Sequence, residues 1–274
     1  MTSVSTSMPE VPSLSPMTRL RDYFLLRPGA ARLVICIALV ALWEISGHTI
    51  MDPDFLSPPS AIIQAIPRVL GNPGVLGALW DTFYELVLAF AISVVLGVLI
   101  AIPIGMHKFT LRSALPLVLL LYSIPQVTIL PLFVLYFGVG AGSKIAFGVT
   151  HGIFPIILNV IAGLQTLEAA HLTAAHSMGA NRRQIFRRVV LPHLTPSLFA
   201  GLRLAMSGTL LGVLLAELYV SAGGIGYYTK LFSESFDPSA TFTLVGALAL
   251  MAVFLNEVVR RAEKRASFWR TQQQ

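Results

Sequence analysis

The chain has 274 residues, of which 55% are hydrophobic and 12% are charged, and its mean hydropathy is +0.76. Soluble domains carry about 25% charged residues, so this composition excludes a soluble globular domain and indicates a polytopic membrane protein. The net charge of +6 does not indicate nucleic-acid binding. The basic residues lie beside the ends of apolar runs, where they orient membrane proteins.

Residues 1–29 are rich in Ser, Thr, Pro and Met and lack apolar periodicity, which predicts a disordered cytosolic tail. The first apolar run starts near Ala30 and no small-residue cleavage pattern follows it, so we expect a retained span and not a removed signal peptide. Residues 30–262 are assigned to a transmembrane domain and residues 263–274 to a cytosolic C-terminal tail. The single cysteine, Cys36, lies inside the first span and offers neither a disulfide framework nor a cysteine metal site.

Six segments are apolar over the roughly 20 residues that a helix needs to cross a bilayer. They are Ala31–Ile50, Leu79–Met106, Ala114–Phe137, Ser143–Gln165, Ser197–Val220 and Thr241–Val259. The predicted fold is therefore an all-α polytopic membrane protein with about six transmembrane helices. Between the first two spans we expect a short interfacial helix at Ala61–Leu70.

Two of the spans contain residues that break helices. The third is interrupted at Ser123-Ile124-Pro125 and again at Pro131, and the fourth contains Gly148, Gly152 and Pro155. Such breaks are tolerated at membrane depth only where the backbone is buried in protein or faces a wet cavity. Gly148 and Gly152, and likewise Gly208 and Gly212, also have the four-residue spacing of close helix packing. A glycine-rich segment from Ser221 to Tyr228 predicts a tight re-entrant turn after the fifth span.

The distribution of Lys and Arg predicts the orientation of the chain. If both termini lie in the cytosol, all these residues except Arg68, Lys144 and Lys230 fall on the cytosolic side or enter a span from it. The opposite orientation would reverse this bias, so we expect a cytosolic N-terminus and C-terminus.

The most informative segment is the polar loop at residues 167–196, between the fourth and fifth spans, and it predicts two short cytosolic helices. The first runs from Thr173, as N-cap, to Met178, and Gly179 is its left-handed stop. A structured basic loop of this kind is typical of a docking surface for a soluble partner.

The second predicted helix of the loop opens at Asn181, with Gln184 three residues later as in a capping box. Pro192 is expected to end it. Ile185, Phe186 and Val189 are expected to anchor this helix on the membrane domain.

Several motifs together resemble one known family. They are Thr173-Ala174-Ala175 with Gly179, Val189-x-Leu191-Pro192, Phe186-Arg187-Arg188, Gly201-Leu202-Arg203-Leu204-Ala205, Ala216-Glu217, Gly224-Ile225-Gly226-Tyr227 and Leu42-Trp43-Glu44. The loop resembles the EAA loop of ABC importer permeases that work with extracytoplasmic binding proteins, and the flanking motifs resemble the nitrate, sulfonate and taurine branch. The chain departs from the family at Thr173, where the usual residue is glutamate. Glu168-Ala169-Ala170 does not supply that glutamate, because no glycine follows at the family spacing.

The resemblance implies a type I importer permease, embedded in the inner (cytoplasmic) membrane, that is not itself an enzyme. Two copies would surround one pathway, and each would seat its loop in one of two ATPase subunits, which would bind ATP and Mg. An extracytoplasmic binding protein would deliver the solute, and this chain would hold no cofactor. The residues expected to couple to the ATPase are Thr173, Ala174, Ala175, His176, Met178, Gly179, Ala180, Arg182, Arg183, Phe186, Leu191 and Pro192.

Polar residues within the spans are candidates for the lining of the pathway. They are Ser123, Gln126, Thr128, His151, Asn159, Ser207 and Glu217. Hydrogen bonding between helices explains such residues equally well. For Glu217 the alternative interpretation is a carboxylate that bonds to the backbone of the glycine turn and holds it. Glu44, Glu85 and Glu257 lie nearer span ends, where an interfacial role is expected.

Other function classes are weaker. A secondary carrier driven by an ion gradient would use intramembrane acids, but no convincing repeat is visible. The glycine run at residues 138–144 fails the spacing of a phosphate loop. The six histidines lack metal-ligand spacing, so no metal site is predicted. The transported substrate stays open among small sulfonates, nitrate-like anions and heterocyclic or aromatic compounds.

Overall fold

A computed structural model of the chain describes residues 28–49, 52 and 55–266. The predicted N-terminal tail, apart from its last two residues, lies outside this range, as does the C-terminal tail after Ala266. All regular structure in the described residues is helical, which confirms the predicted all-α class. The described residues fall into two compact units, one ending at Ala61 and the other beginning at Ile62.

The described helices are numbered here in chain order. They are α1 (Pro28–Thr49), α2 (Pro59–Leu70), α3 (Pro73–Met106), α4 (Lys108–Ser123), α5 (Leu130–Phe137), α6 (Ala141–Gln165), α7 (Ala169–Ser177), α8 (Arg182–Val220), α9 (Ile225–Glu234) and α10 (Pro238–Ala266). Five of them are long and apolar enough to cross a membrane, and α4 with α5 as one bent span makes six. The predicted number of spans is confirmed. A helix, α2, is also present after the first span where the interfacial helix is expected, and its location at the interface stays a prediction.

In the first unit, α1 is apolar along its length and largely exposed. Glu44 joins its end to the start of α2. One carboxylate oxygen accepts a hydrogen bond from the Ser60 backbone at 3.0 Å and the other from the Ser60 hydroxyl at 2.5 Å. Glu44 therefore has a structural role near the end of the span.

The predicted break in the third span is confirmed at Pro125. Helix α4 ends at Ser123, a 3₁₀ turn covers Gln126–Ile129, and the chain bends by 81° before α5 continues. Proline restricts the residue before it to extended backbone, and Ile124 accordingly has ψ of 129°. The second predicted break, at Pro131, is wrong. Pro131 lies in the first turn of α5, where the missing N–H has no helical partner to lose.

The interpretation of Gly148, Gly152 and Pro155 as helix breaks is also wrong, because α6 is continuous through all three. The two glycines serve close packing instead. A Cβ on Gly148 would lie 2.7 Å from Val213 of α8 and 3.1 Å from Ala89 of α3. Small residues let three helix backbones approach one another at this point. Helix α6 is therefore the centre of the second unit, packed between α3 and α8.

Candidate functional site

The first helix of the loop begins earlier than predicted, at Ala169. Thr173 lies in its interior, and its hydroxyl donates to the Ala169 carbonyl at 3.0 Å. The N-cap role predicted for Thr173 is therefore wrong, because its hydroxyl bonds backwards along the helix instead of capping it. The N-cap position belongs to Glu168, whose backbone is extended.

The end of α7 follows the prediction. Gly179 has a φ of +77°, in the left-handed region that favours glycine. The Ala180 N–H donates to the Ala175 carbonyl at 3.1 Å and the Gly179 N–H to the His176 carbonyl at 2.9 Å. These two bonds form a Schellman motif, which satisfies carbonyls that the helix end would otherwise leave free.

The second helix starts as predicted, with both bonds of the capping box. The Asn181 side chain accepts from the Gln184 N–H at 2.9 Å, and the Gln184 side chain accepts from the Asn181 N–H at 2.8 Å. The predicted stop at Pro192 is wrong. Residues Arg182–Ile185, a π-helical turn at Phe186–Val190 and Leu191–Val220 form one helix, α8.

The π turn explains how the helix passes Pro192. Inside an α-helix, proline removes one hydrogen bond and clashes with the carbonyl four residues earlier. Here the Leu191 N–H bonds to the carbonyl of Phe186, five residues back, so the chain is locally wider just before the proline. The second predicted helix of the loop and the fifth span are consequently a single element of 39 residues.

The loop at residues 167–196, which we call the coupling loop after its expected role, is packed on the bundle. Ala175, Ile185 and Val190 are 4%, 6% and 2% exposed and share an apolar cluster with Ile161 and Leu164 of α6. Ile185 therefore anchors the loop as predicted, while Phe186 and Val189 pack at the edge of the cluster. A displacement of the loop must move the end of the bundle with it.

The remaining residues of the predicted coupling set differ in accessibility. Ala175 faces the bundle, and Ala180, Phe186 and Pro192 are half-buried. The exposed members are Thr173, Ala174, His176, Met178, Gly179, Arg182, Arg183 and Leu191. Met178 is 81% exposed at the tip of the loop. The loop thus presents an apolar side chain and several basic ones away from the membrane domain.

The fold brings only two of the predicted pathway residues, Gln126 and His151, close to each other through a shared hydrogen-bond partner. Gln126, on the 3₁₀ turn, accepts a hydrogen bond from Thr150 at 3.2 Å, and Thr150 neighbours His151. The other hydroxyl and amide groups bond within their own helix or turn, to backbone carbonyls. These are Ser123 to Leu119, Thr128 to Pro125, Asn159 to Pro155 and Ser207 to Arg203.

A cluster of charged residues lies at the opposite end of the bundle, and we call Thr82, Glu85, Lys144 and Glu217 the carboxylate–lysine cluster. The Lys144 ammonium is 2.5 Å from the Glu85 carboxylate and 3.8 Å from that of Glu217. All three charged side chains are almost completely buried, at 6%, 4% and 0% exposure. Lys144 and the end of α6 at Gln165 are about 30 Å apart, at 1.5 Å per residue.

The carboxylate–lysine cluster holds the glycine turn and the start of α9. The Thr82 hydroxyl donates to Glu217 at 2.7 Å and accepts from the Ile225 N–H at 2.9 Å. The second oxygen of Glu217 accepts from the Gly226 N–H at 2.8 Å. These bonds satisfy the first free N–H groups of α9. In this conformation Glu217 makes the bonds of the turn-holding interpretation, and pathway lining by this residue stays a prediction.

Sequence reasoning missed three members of this cluster. From the sequence, Lys144 is expected to be an external charge and Glu85 an interfacial acid. In the structure the two side chains are buried against each other. The available signal is that Glu85 and Lys144, in the second and fourth spans, are opposite charges expected on the same side of the membrane, and each needs a partner. Thr82 carries no such signal.

A profile of the family described as "Binding-protein-dependent transport system inner membrane component" matches residues 93–267. The chain belongs to this family. It is a permease subunit of an ABC importer, and a gradient-driven secondary carrier is not favoured. The family is one of transport permeases, which is consistent with a role other than catalysis.

Several named transport permeases are similar to this chain over most of its length. The formylaminopyrimidine transport permease protein ThiX of Halalkalibacterium halodurans is 29% identical, over 92% of this chain and 99% of its own length. The taurine transport system permease protein TauC of Escherichia coli is 26% identical, over 86% and 87%. The putative aliphatic sulfonates transport permease protein SsuC of Bacillus subtilis is 26% identical, over 89% and 91%. The predicted nitrate, sulfonate and taurine branch is therefore confirmed.

The fold is similar to that of a solved importer. A chain from inward-facing structures of the MetNI methionine ABC transporter aligns with a TM-score of 0.58 at 19% identity. The alignment covers 70% of this chain and 95% of that one. This similarity confirms the predicted type I permease fold.

Proposed function

We propose that two copies of this permease surround one solute pathway and that each copy docks one ATPase subunit through residues 167–196. The observation that carries the proposal is the attachment of the loop. Its buried residues Ala175, Ile185 and Val190 pack on the bundle, and its second helix continues into the fifth span. An ATPase that binds one position of this loop better than another shifts the whole bundle between two states.

The proposed second copy is supported by the break in the third span. Ser123, Ile124, Val127 and Thr128 lie at the bend and are exposed in the single chain. A broken helix cannot face lipid, because its free backbone groups would find no hydrogen-bond partners there. A second copy, with a water-filled pathway between the two, would cover this surface.

The proposed orientation places the coupling loop and both termini in the cytosol and the carboxylate–lysine cluster on the outer side. The support is that most Lys and Arg residues lie at the end of the bundle that carries the coupling loop. Reporter domains fused after Gln274 test it. A cytosolic reporter at this position should be active and a periplasmic one inactive, and the reverse result overturns the orientation.

The proposed substrate is a small solute of the kind named for the relatives, either a sulfonate such as taurine or a small heterocycle. Lys144, the lysine buried in the described spans, is already paired with Glu85, so it does not commit the pathway to an anion. We infer that an extracytoplasmic binding protein selects the solute. A ligand-stabilisation screen of the cognate binding protein would identify it.

Docking of the ATPase is tested by co-purification and by ATP-driven uptake in vesicles. Replacement of exposed Met178 by serine should lower retention of the cognate ATPase by about tenfold, the equivalent of 1.4 kcal/mol of lost apolar contact. Phe109→Ser is the matched control, because Phe109 is 84% exposed at the same end of the bundle but lies outside the coupling loop. Equal retention by the Met178 variant, or uptake by this chain alone on an ion gradient, contradicts the proposal.

A further inference from the structure

A groove of about 660 Å³ lies behind the first coupling helix. One side is formed by Leu172 and His176 of α7, and the other by the end of α6 and the junction between α3 and α4. Its volume falls within the range of about 300–1,000 Å³ that is usual for sites of organic ligands. The groove does not include Met178 at the tip of the loop or the carboxylate–lysine cluster, but it shares His176, Arg182 and Phe186 with the predicted coupling set.

The groove combines apolar walls with a cationic rim. The walls include Leu111, Leu164, Leu172 and Phe186. The rim carries Lys108 and Arg182, together with the imidazoles of His107 and His176. No Asp or Glu is among the described residues that line it.

The two permanent charges of the rim are available for a ligand. Lys108 and Arg182 come from different elements, the start of α4 and the start of α8, and both are exposed. Within residues 28–49, 52 and 55–266, neither side chain makes an ion pair. Two cations at one apolar groove repel each other, and an anion bound between them lowers their electrostatic energy.

We propose that this groove binds an acidic phospholipid, with the phosphate headgroup at the cationic rim and part of an acyl chain along the apolar walls. The position favours a lipid, because the groove lies where α3 ends and α4 begins, at the end of two spans that cross the bilayer. Basic pockets between transmembrane helices at the cytoplasmic side, where the proposed orientation places this groove, are a known type of site for anionic headgroups. A free phosphate ion would leave the apolar walls without a partner.

The experiment measures lipid retention by the full-length protein. Protein purified in mild detergent is mixed with equal amounts of phosphatidylglycerol and phosphatidylcholine, and the bound lipids are counted by native mass spectrometry. The wild type should retain phosphatidylglycerol selectively. Lys108→Gln and Arg182→Gln should each lower this retention about fivefold, since a basic residue near an anionic lipid contributes about 1 kcal/mol.

Matched controls distinguish binding in the groove from non-specific attraction of the anionic lipid to basic residues. Arg112→Gln and Arg183→Gln remove charges from the same end of the bundle, but neither residue lines the groove. Both should retain phosphatidylglycerol like the wild type. Leu172→Trp fills the groove without changing the charge and should lower retention as the charge variants do.

Three outcomes overturn the proposal. They are equal retention of the two lipids by the wild type, equal loss in the control variants, and displacement of the lipid by millimolar inorganic phosphate or glycerol phosphate. The last result would assign the rim to a soluble anion. None of these measurements involves the ATPase or transport, so their failure leaves the proposed function intact.

Discussion

Two buried carboxylates share one buried ammonium in the carboxylate–lysine cluster, so Lys144 is the residue on which its stability depends. Lys144→Met would leave Glu85 and Glu217 facing each other without a counter-charge. Removing one partner of a buried pair costs about 3–5 kcal/mol, and we expect a loss of this size, measured as a lower midpoint of thermal unfolding in detergent.

Two further variants test whether that loss comes from the charges. Lys230→Met is the control, because Lys230 is an exposed lysine 3.8 Å from Glu234 and its replacement should cost under about 1 kcal/mol. The double variant Lys144→Met/Glu85→Gln should lose less than the sum of the single variants. Additive losses would show that Lys144 and Glu85 do not interact.

Asp237 predicts a dependence of stability on pH. The Arg68 guanidinium, 2.8 Å away, and the Ala240 N–H hold the pKa of this carboxyl below its ordinary value. A lowered folded-state pKa stabilises the protein above the ordinary value of about 3.9, and the contribution is lost as pH falls through the folded-state pKa.

The variant Asp237→Asn should therefore be less stable than the wild type at pH 7, by up to about 1 kcal/mol for the lost ion pair with Arg68, because the asparagine oxygen can still accept the Ala240 N–H bond. The difference between their unfolding midpoints should narrow as the pH approaches 3. Asp81→Asn is a suitable control, because Asp81 has no resolved ion pair in the described residues. A difference that stays constant with pH would contradict the assignment.

At the level of elements, the left-handed glycine between the two coupling helices is the position most sensitive to backbone shape. A Cβ on Gly179 would meet open space, so any effect of substitution comes from its φ of +77°. A β-branched residue there costs about 1–2 kcal/mol, whereas asparagine tolerates this conformation. Gly179→Val should lower ATP-driven uptake about tenfold or more, while Gly179→Asn retains most of it.

The control for that prediction is Gly246→Val in α10, because Gly246 also has no neighbour within 4 Å but has no positive φ. All three variants should insert in the membrane at wild-type levels. Normal uptake by Gly179→Val would show that the bend between the coupling helices does not transmit movement.

Local rules predicted some elements of this structure and failed at others for identifiable reasons. The break at Pro125, the left-handed Gly179 and the capping box at Asn181 depend on a few neighbouring residues, and all three are confirmed. Pro192 misled the prediction because a π turn before it accommodates the proline, and nothing in the neighbouring residues marks that turn.

The carboxylate–lysine cluster could not be predicted from the sequence, for a different reason. Thr82 and Glu217 are 135 positions apart, and Lys144 lies on a third helix between them. The packing of α3, α6 and α8 brings these residues together, and no local pattern specifies it. The number of spans and the helices of the loop were predictable because hydropathy and capping depend on neighbouring residues. The contacts between spans were not predictable, because they depend on how distant helices pack.

At the level of the whole molecule, the exposed break in the third span predicts which surfaces meet water. In a Cys36→Ala background, Ser123→Cys should react with a charged, membrane-impermeant thiol reagent in the assembled importer, because the broken span requires a wet or protein-covered environment. Leu250→Cys is the control, since Leu250 is 73% exposed on a continuous apolar helix and should face lipid. Equal reactivity of the two cysteines would contradict this arrangement.

Helix α8 runs without interruption from the tip beside Asn181 to the turn after Val220, a length of about 58 Å at 1.5 Å per residue. If helix α8 rotated by about 5° around one end, its other end would shift by about 5 Å, roughly the width of a small solute. Because Glu217 is bonded to the first turn of α9, that shift carries α9 with it. One continuous helix therefore joins the two ends of the bundle, and no separate relay of side chains is required between them.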